Sequence, residues 1–101
     1  MTTGKRLLRK VHSYSEKLQA VSDDHRLAIV YLLAHEPMTV RDITLNLPLS
    51  HSLASHHSNA LYKAGWVTRE KIGRTVEYAL NKKSLSVLSD FLAQTPIARA
   101  T

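Results

Sequence analysis

Residues 49–67, Leu-Ser-His-Ser-Leu-Ala-Ser-His-His-Ser-Asn-Ala-Leu-Tyr-Lys-Ala-Gly-Trp-Val, constrain the fold more than any other stretch of this 101-residue chain. Ser50 is a natural helix N-cap, and Gly65 can take the left-handed conformation that ends a helix after Lys63. Pro48, just upstream, cannot continue a preceding helix. Beyond Trp66 the apolar period changes. Val76, Tyr78 and Leu80 alternate with Thr75, Glu77 and Ala79, as a half-buried strand does. Residues 66–71 are expected to pair with residues 74–80 through a turn near Ile72-Gly73. A short helix, a tight turn, a second helix and a hairpin make the layout of a winged helix-turn-helix, which lays its second helix in a DNA groove.

The rest of the chain supplies three more helices. Leu7, Val11, Tyr14, Leu18 and Val21 step by four and three residues, one continuous apolar stripe on a helix. Packing on its own domain and pairing with a second subunit both satisfy that stripe. Ser22 and Asp23 are N-cap types, and the helix they open, to about His35, carries Leu27, Ile29, Val30, Leu32 and Leu33 as the expected centre of the core. Glu36-Pro37 ends it. Thr39 and Asp42 fit a capping box, and Ile43 and Leu47 give the short helix behind them an inward face. Asn81 caps a last helix with Leu85, Leu88, Phe91 and Leu92 on one face, ending before Pro96. The predicted order is α-α-α-α-β-β-α. The expected class is mainly α with a small β-hairpin, an α+β winged helix-turn-helix.

The formal charge is +6, which favours an anionic partner, with nucleic acid ahead of a membrane surface. There are no cysteines, which excludes disulfides, thiolate zinc sites and cysteine nucleophiles. No segment has signal-peptide or membrane-spanning character, so the chain is read as cytoplasmic with no membrane partner. No carboxylate pair sits at helical spacing and there is no Gly-rich phosphate loop, so an enzyme is not expected.

On the helix after Ser50, a 100° step puts Ala54, His57, Leu61 and Ala64 on one side. His51, Ser52, Ser55, His56, Asn59 and Tyr62 fall on the other, a small polar face with no acid to repel phosphate. Ser, Asn and His can donate to base-edge acceptors. The hairpin adds Arg69, Lys71 and Arg74, suited to phosphate. Thr39 and Ser50, at the two helix starts, complete the expected DNA-binding set. A protein-interaction module or a low-specificity nucleoid-type binder are the alternatives, and the basic wing counts against the first. The six histidines, at 12, 25, 35, 51, 56 and 57, include no pair three or four apart. No single helix therefore offers two imidazoles to one ion, while a site spanning helices or subunits stays open.

The segments Asp23-Asp24-His25-Arg26-Leu27, Val40-Arg41-Asp42-Ile43, Leu49-Ser50-His51-Ser52, Ser55-His56-His57, Lys63-Ala64-Gly65-Trp66-Val67 and Gly73-Arg74-Thr75-Val76-Glu77-Tyr78 together resemble the ArsR/SmtB family of bacterial winged-helix repressors. The resemblance covers roughly residues 20–92. It implies a homodimer that binds double-stranded DNA at a pseudo-palindromic operator, with readers at His51, Ser52, Ser55 and His56. It assigns a dimerisation helix to 4–21, the helix-turn-helix to 39–64, the wing to 66–80 and a C-terminal dimerisation helix to 82–95, within one domain over 1–101. Leu7, Val11, Tyr14, Leu18, Leu85, Leu88 and Leu92 would line the dimer interface. The family's metalloid sensors carry a Cys-Val-Cys-type segment where this chain has Thr39-Val40-Arg41. Its zinc sensors place acid and His ligands on the last helix, where residues 82–95 offer Asp90 and no His. No metal and no cofactor are therefore expected, and the effector class, small molecule or protein, is not named by the sequence. Ser58 stands at an inward position that is usually apolar in the family.

Overall fold

The computed structural model describes residues 3–93, without the side chains of Val87, Leu88 and Phe91. Its elements are α1 (Gly4–Ala20), α2 (Asp24–Leu33), β1 (Met38–Thr39), α3 (Val40–Asn46), α4 (His51–Lys63), β2 (Val67–Ile72), β3 (Thr75–Leu80) and α5 (Lys82–Ala93). The expected order holds with one addition, the two-residue strand β1. It pairs with β3 in antiparallel register, Met38 opposite Tyr78 and Thr39 opposite Glu77, making a sheet ordered β1-β3-β2. Two residues carry no visible period, so alternation could not reveal them. The expected helix end at residues 94–95 lies outside the described residues.

Each helix start is set by a local hydrogen bond. Asp23 accepts from the Arg26 amide at 3.1 Å, and Ser50 Oγ accepts from the Leu53 amide at 3.1 Å. The capping box is complete: Thr39 Oγ1 accepts from Asp42 N, and Asp42 Oδ2 accepts from Thr39 N. Thr3 caps α1 by accepting from Arg6 N. Helix α4 ends in a two-bond cap in which the Trp66 amide donates to Leu61 O and the Gly65 amide to Tyr62 O. That geometry puts Gly65 at φ +83°, which L side chains rarely adopt. The α3–α4 turn instead passes through Leu47 at φ −130° and Pro48 with no positive φ outside glycine. The β2–β3 turn is Gly73-Arg74, with Gly73 at φ +62°.

Ile29 and Leu33 of α2, Ile43 of α3, Ala54 and Leu61 of α4, Trp66, Val67 of β2 and Tyr78 of β3 form the core, closed by Met38 of β1. Leu27 departs from expectation: it is 56% exposed, on the same outer side of α2 as Tyr31. Helix α1 buries no residue. It is tied to the core at its last turn, where Trp66 Nε1 donates to Lys17 O at 2.6 Å and the Lys17 ammonium lies over the indole. Leu7 and Leu18 are exposed and Val11 and Tyr14 half-buried, so this chain's own core reaches the stripe at Val21 and leaves its two leucines uncovered. Leu85 and Leu92 of α5 are likewise exposed, and the Leu88 side chain lies outside the described residues. No helix among the described residues is long and apolar enough to cross a membrane.

Candidate nucleic-acid interface

Helix α4 buries Ala54, Ser58 and Leu61 at 0% exposure, steps of four and three. The inward face is therefore centred on Ser58, and His57 lies half-buried at its margin rather than in its middle. His51, Ser52 and His56 are exposed, while Ser55 and Asn59 are half-buried. Between α4 and the hairpin runs an open groove of about 490 Å³. Thr39, His51, Ser55, Asn59, Arg69 and Arg74 line it, six of the ten side chains predicted for DNA. Ser50, Ser52, His56 and Lys71 are exposed but stand outside it.

Arg41 also lines the groove and was missed by the sequence reading. It sits two residues after the Thr39 cap, in the first turn of α3, which places its side chain where the groove opens. The capping box predicted that turn, so the signal was present. Three guanidinium groups thus border a helix face without formal charge. The arrangement suits a polyanion held by its phosphates while small polar groups meet base edges.

Asn59 has a more defined role than a free reader. Its Oδ1 accepts from Arg69 Nη1 at 2.9 Å and from the Tyr78 hydroxyl at 2.8 Å. Arg cannot accept a hydrogen bond, so this pairing fixes which end of the amide faces the wing. Both lone pairs of Oδ1 are engaged, and only the Asn59 NH₂ remains to meet a ligand. The Arg69 guanidinium also lies 4.2 Å from the Tyr62 ring centroid, which makes Arg69 the clasp between wing and helix. Its other N–H groups stay free of that bond and keep its charge on the groove.

Behind the helix, Arg26 Nε donates to His57 Nδ1 at 3.1 Å. Burial holds the His57 imidazole below its ordinary range, so at neutral pH it is the uncharged acceptor this bond needs. The Arg26 amide bound to Asp23 lowers that carboxyl in turn. Asp23, His25 and His57 bring one ligand atom each to within 4.8 Å of one another, a convergence between α2 and α4 that spacing along the chain did not reveal.

Two helices joined by a tight turn, with the second beside a basic two-stranded wing, define a winged helix-turn-helix protein. Residues 23–69 match the family model described as bacterial regulatory protein, arsR family. The chain is 37% identical over 78 residues to the cadmium resistance transcriptional regulatory protein of Listeria innocua, a match covering 76% of this chain and 64% of that protein. It is 34% identical over 87 residues to the arsenical resistance operon repressor of Bacillus subtilis, covering 85% of this chain and 80% of that one. A homodimeric winged helix-turn-helix DNA-binding domain from Mycobacterium bovis, solved by solution NMR, shares the fold at TM-score 0.73 and 21% identity, over 92% of this chain and 89% of its own. The chain belongs to the ArsR family of bacterial regulatory proteins, which are transcriptional regulators and not enzymes.

Proposed function

We propose that this protein is a cytoplasmic, DNA-binding transcriptional repressor that acts as a homodimer on a pseudo-palindromic operator, with half-sites about one helical turn apart. The single observation that carries the reading is the groove between α4 and the wing, bordered by Arg41, Arg69 and Arg74 and lined on the helix side by His51, Ser55 and Asn59. Helices α1 and α5 as the dimer contacts fit the exposed Leu7, Leu18, Leu85 and Leu92. The relatives named as a cadmium resistance transcriptional regulator and an arsenical resistance operon repressor, and the homodimeric neighbour, support repression and assembly in pairs.

Selection of tight-binding duplexes from a randomised pool tests the reading. A recovered pseudo-palindrome that outcompetes bulk DNA supports a specific repressor. Equal competition by bulk DNA replaces it with a low-specificity binder. On the selected site, His51→Ala or His56→Ala should each cost ~1–3 kcal/mol if it reads a base. Arg74→Ala should instead weaken binding to all duplexes alike and reduce the salt slope by about 1.

A further inference from the structure

We infer that Asp23, His25 and His57 form a binding site for a divalent metal ion of borderline softness, such as zinc, cobalt or nickel, between the start of α2 and the back of α4. Their ligand atoms lie within 4.8 Å of one another. A tetrahedral ion with bonds of 2.0–2.1 Å needs its donors about 3.3 Å apart. The contraction is small, and it falls on exposed side chains free to make it. His25 and Asp23 are exposed, with His25 Nδ1 already 3.9 Å from Asp23 Oδ2. His57, half-buried on α4, is the fixed member, its ring centroid 5.7 Å from that of His25.

The donor set selects the ion. Two imidazoles and one carboxylate, with no thiolate anywhere in the chain, suit borderline divalent ions over the thiophilic ones. Three protein ligands leave a coordination position for water. Asp23 can serve without losing its structural role. Its Oδ2, 3.9 Å from His25 Nδ1, accepts from the Arg26 amide with one lone pair and keeps a second for an ion.

Arg26 is the group that opposes the ion, which gives the site a distinctive signature. A neutral imidazole has one lone pair, and that of His57 now accepts from Arg26 Nε. An ion that takes Nδ1 displaces Arg26 directly. An ion that takes Nε2 turns Nδ1 into a donor facing a donor. In both cases the guanidinium must leave, so ion and Arg26 compete for His57. Beside the site, among the described residues, also stands His56 on α4, whose ring is 5.6 Å from that of His57.

The test is titration of the full, chelator-stripped chain with cobalt(II), followed by its ligand-field absorption, and with zinc(II) by calorimetry, both without DNA. The result therefore stands apart from the operator reading. Wild type should take up one ion per chain. Loss of a mere outer partner typically costs about 10–100-fold at metal sites, so Asp23→Asn and His25→Gln, both exposed and able to fold, should each weaken binding by at least about tenfold. Arg26→Met, which removes the competing cation, should strengthen it by about tenfold. His12→Gln, on α1 beside Glu16, should change nothing. No cobalt absorption in wild type overturns the site. So does an affinity that Asp23→Asn and His25→Gln leave unchanged.

Discussion

Ser58 Oγ lies on the inward face of the proposed reading helix, with no exposure and no hydrogen-bond partner. A buried hydroxyl left unpaired costs about 1–3 kcal/mol, and serine is also a weaker helix former than alanine. Ser58→Ala is therefore expected to stabilise the protein by about 1–2 kcal/mol, read as a thermal midpoint several degrees higher. A lower midpoint would mean that the hydroxyl has a partner in solution. Asn59 is the opposite case, a polar side chain with its acceptor fully used. Asn59→Ala should cost about 1–2 kcal/mol by stranding Arg69 and the Tyr78 hydroxyl. A double-mutant cycle with Tyr78→Phe isolates their coupling, and a coupling near zero would show that the clasp does not form.

At the scale of elements, glycines at the start of α1 and at the end of α4 separate backbone strain from simple propensity. Gly65 holds φ +83° at the end of α4, and a Cβ there would also meet Lys17 Nζ at 3.4 Å. Gly65→Ala should destabilise by about 1–2 kcal/mol. Gly4, in the first turn of α1, has nothing within 4 Å of such a Cβ, so Gly4→Ala should be neutral or slightly stabilising. Denaturant unfolding of both variants checks the contrast. Gly65 also matters beyond its own turn. Its carbonyl accepts from Asn81 Nδ2 and Ser84 Oγ, so the cap that ends α4 is the same point that seats the start of α5.

For the whole molecule, the radius of gyration is 16.2 Å, against about 13 Å for a compact chain of 100 residues. Helix α1 buries no residue and meets the core only near its end, through Ala20 and the Trp66–Lys17 contact. A helix with exposed Leu7, Leu8 and Leu18 is unfavourable in water unless covered. The wild-type chain is expected to sediment at twice its chain mass. Leu7→Glu combined with Leu18→Glu should sediment as a monomer and lose most operator affinity, since two half-sites need two subunits. A monomeric wild type would remove the dimer reading while leaving the groove intact.

The amino-acid sequence by itself determined the five helices, the hairpin and the helix starts, because caps act within a few residues. Asp23, the Thr39–Asp42 box, Ser50 and Gly65 all sit where their chemistry predicts. It also determined the basic wing and the uncharged helix face, since both follow from residue type and helical period. Tertiary structure alone decided what depends on chain segments meeting. The strand β1 exists because β3 pairs with it. The Arg69–Asn59 and Tyr78–Asn59 bonds span 10 and 19 residues, and the Arg26–His57 bond spans 31. Leu27 turned outward because α2 packs through Ile29 and Leu33 instead. Three residues at 23, 25 and 57 became neighbours by the same route. Periodicity reports which way a side chain points along its own element, and only packing reports what it meets there.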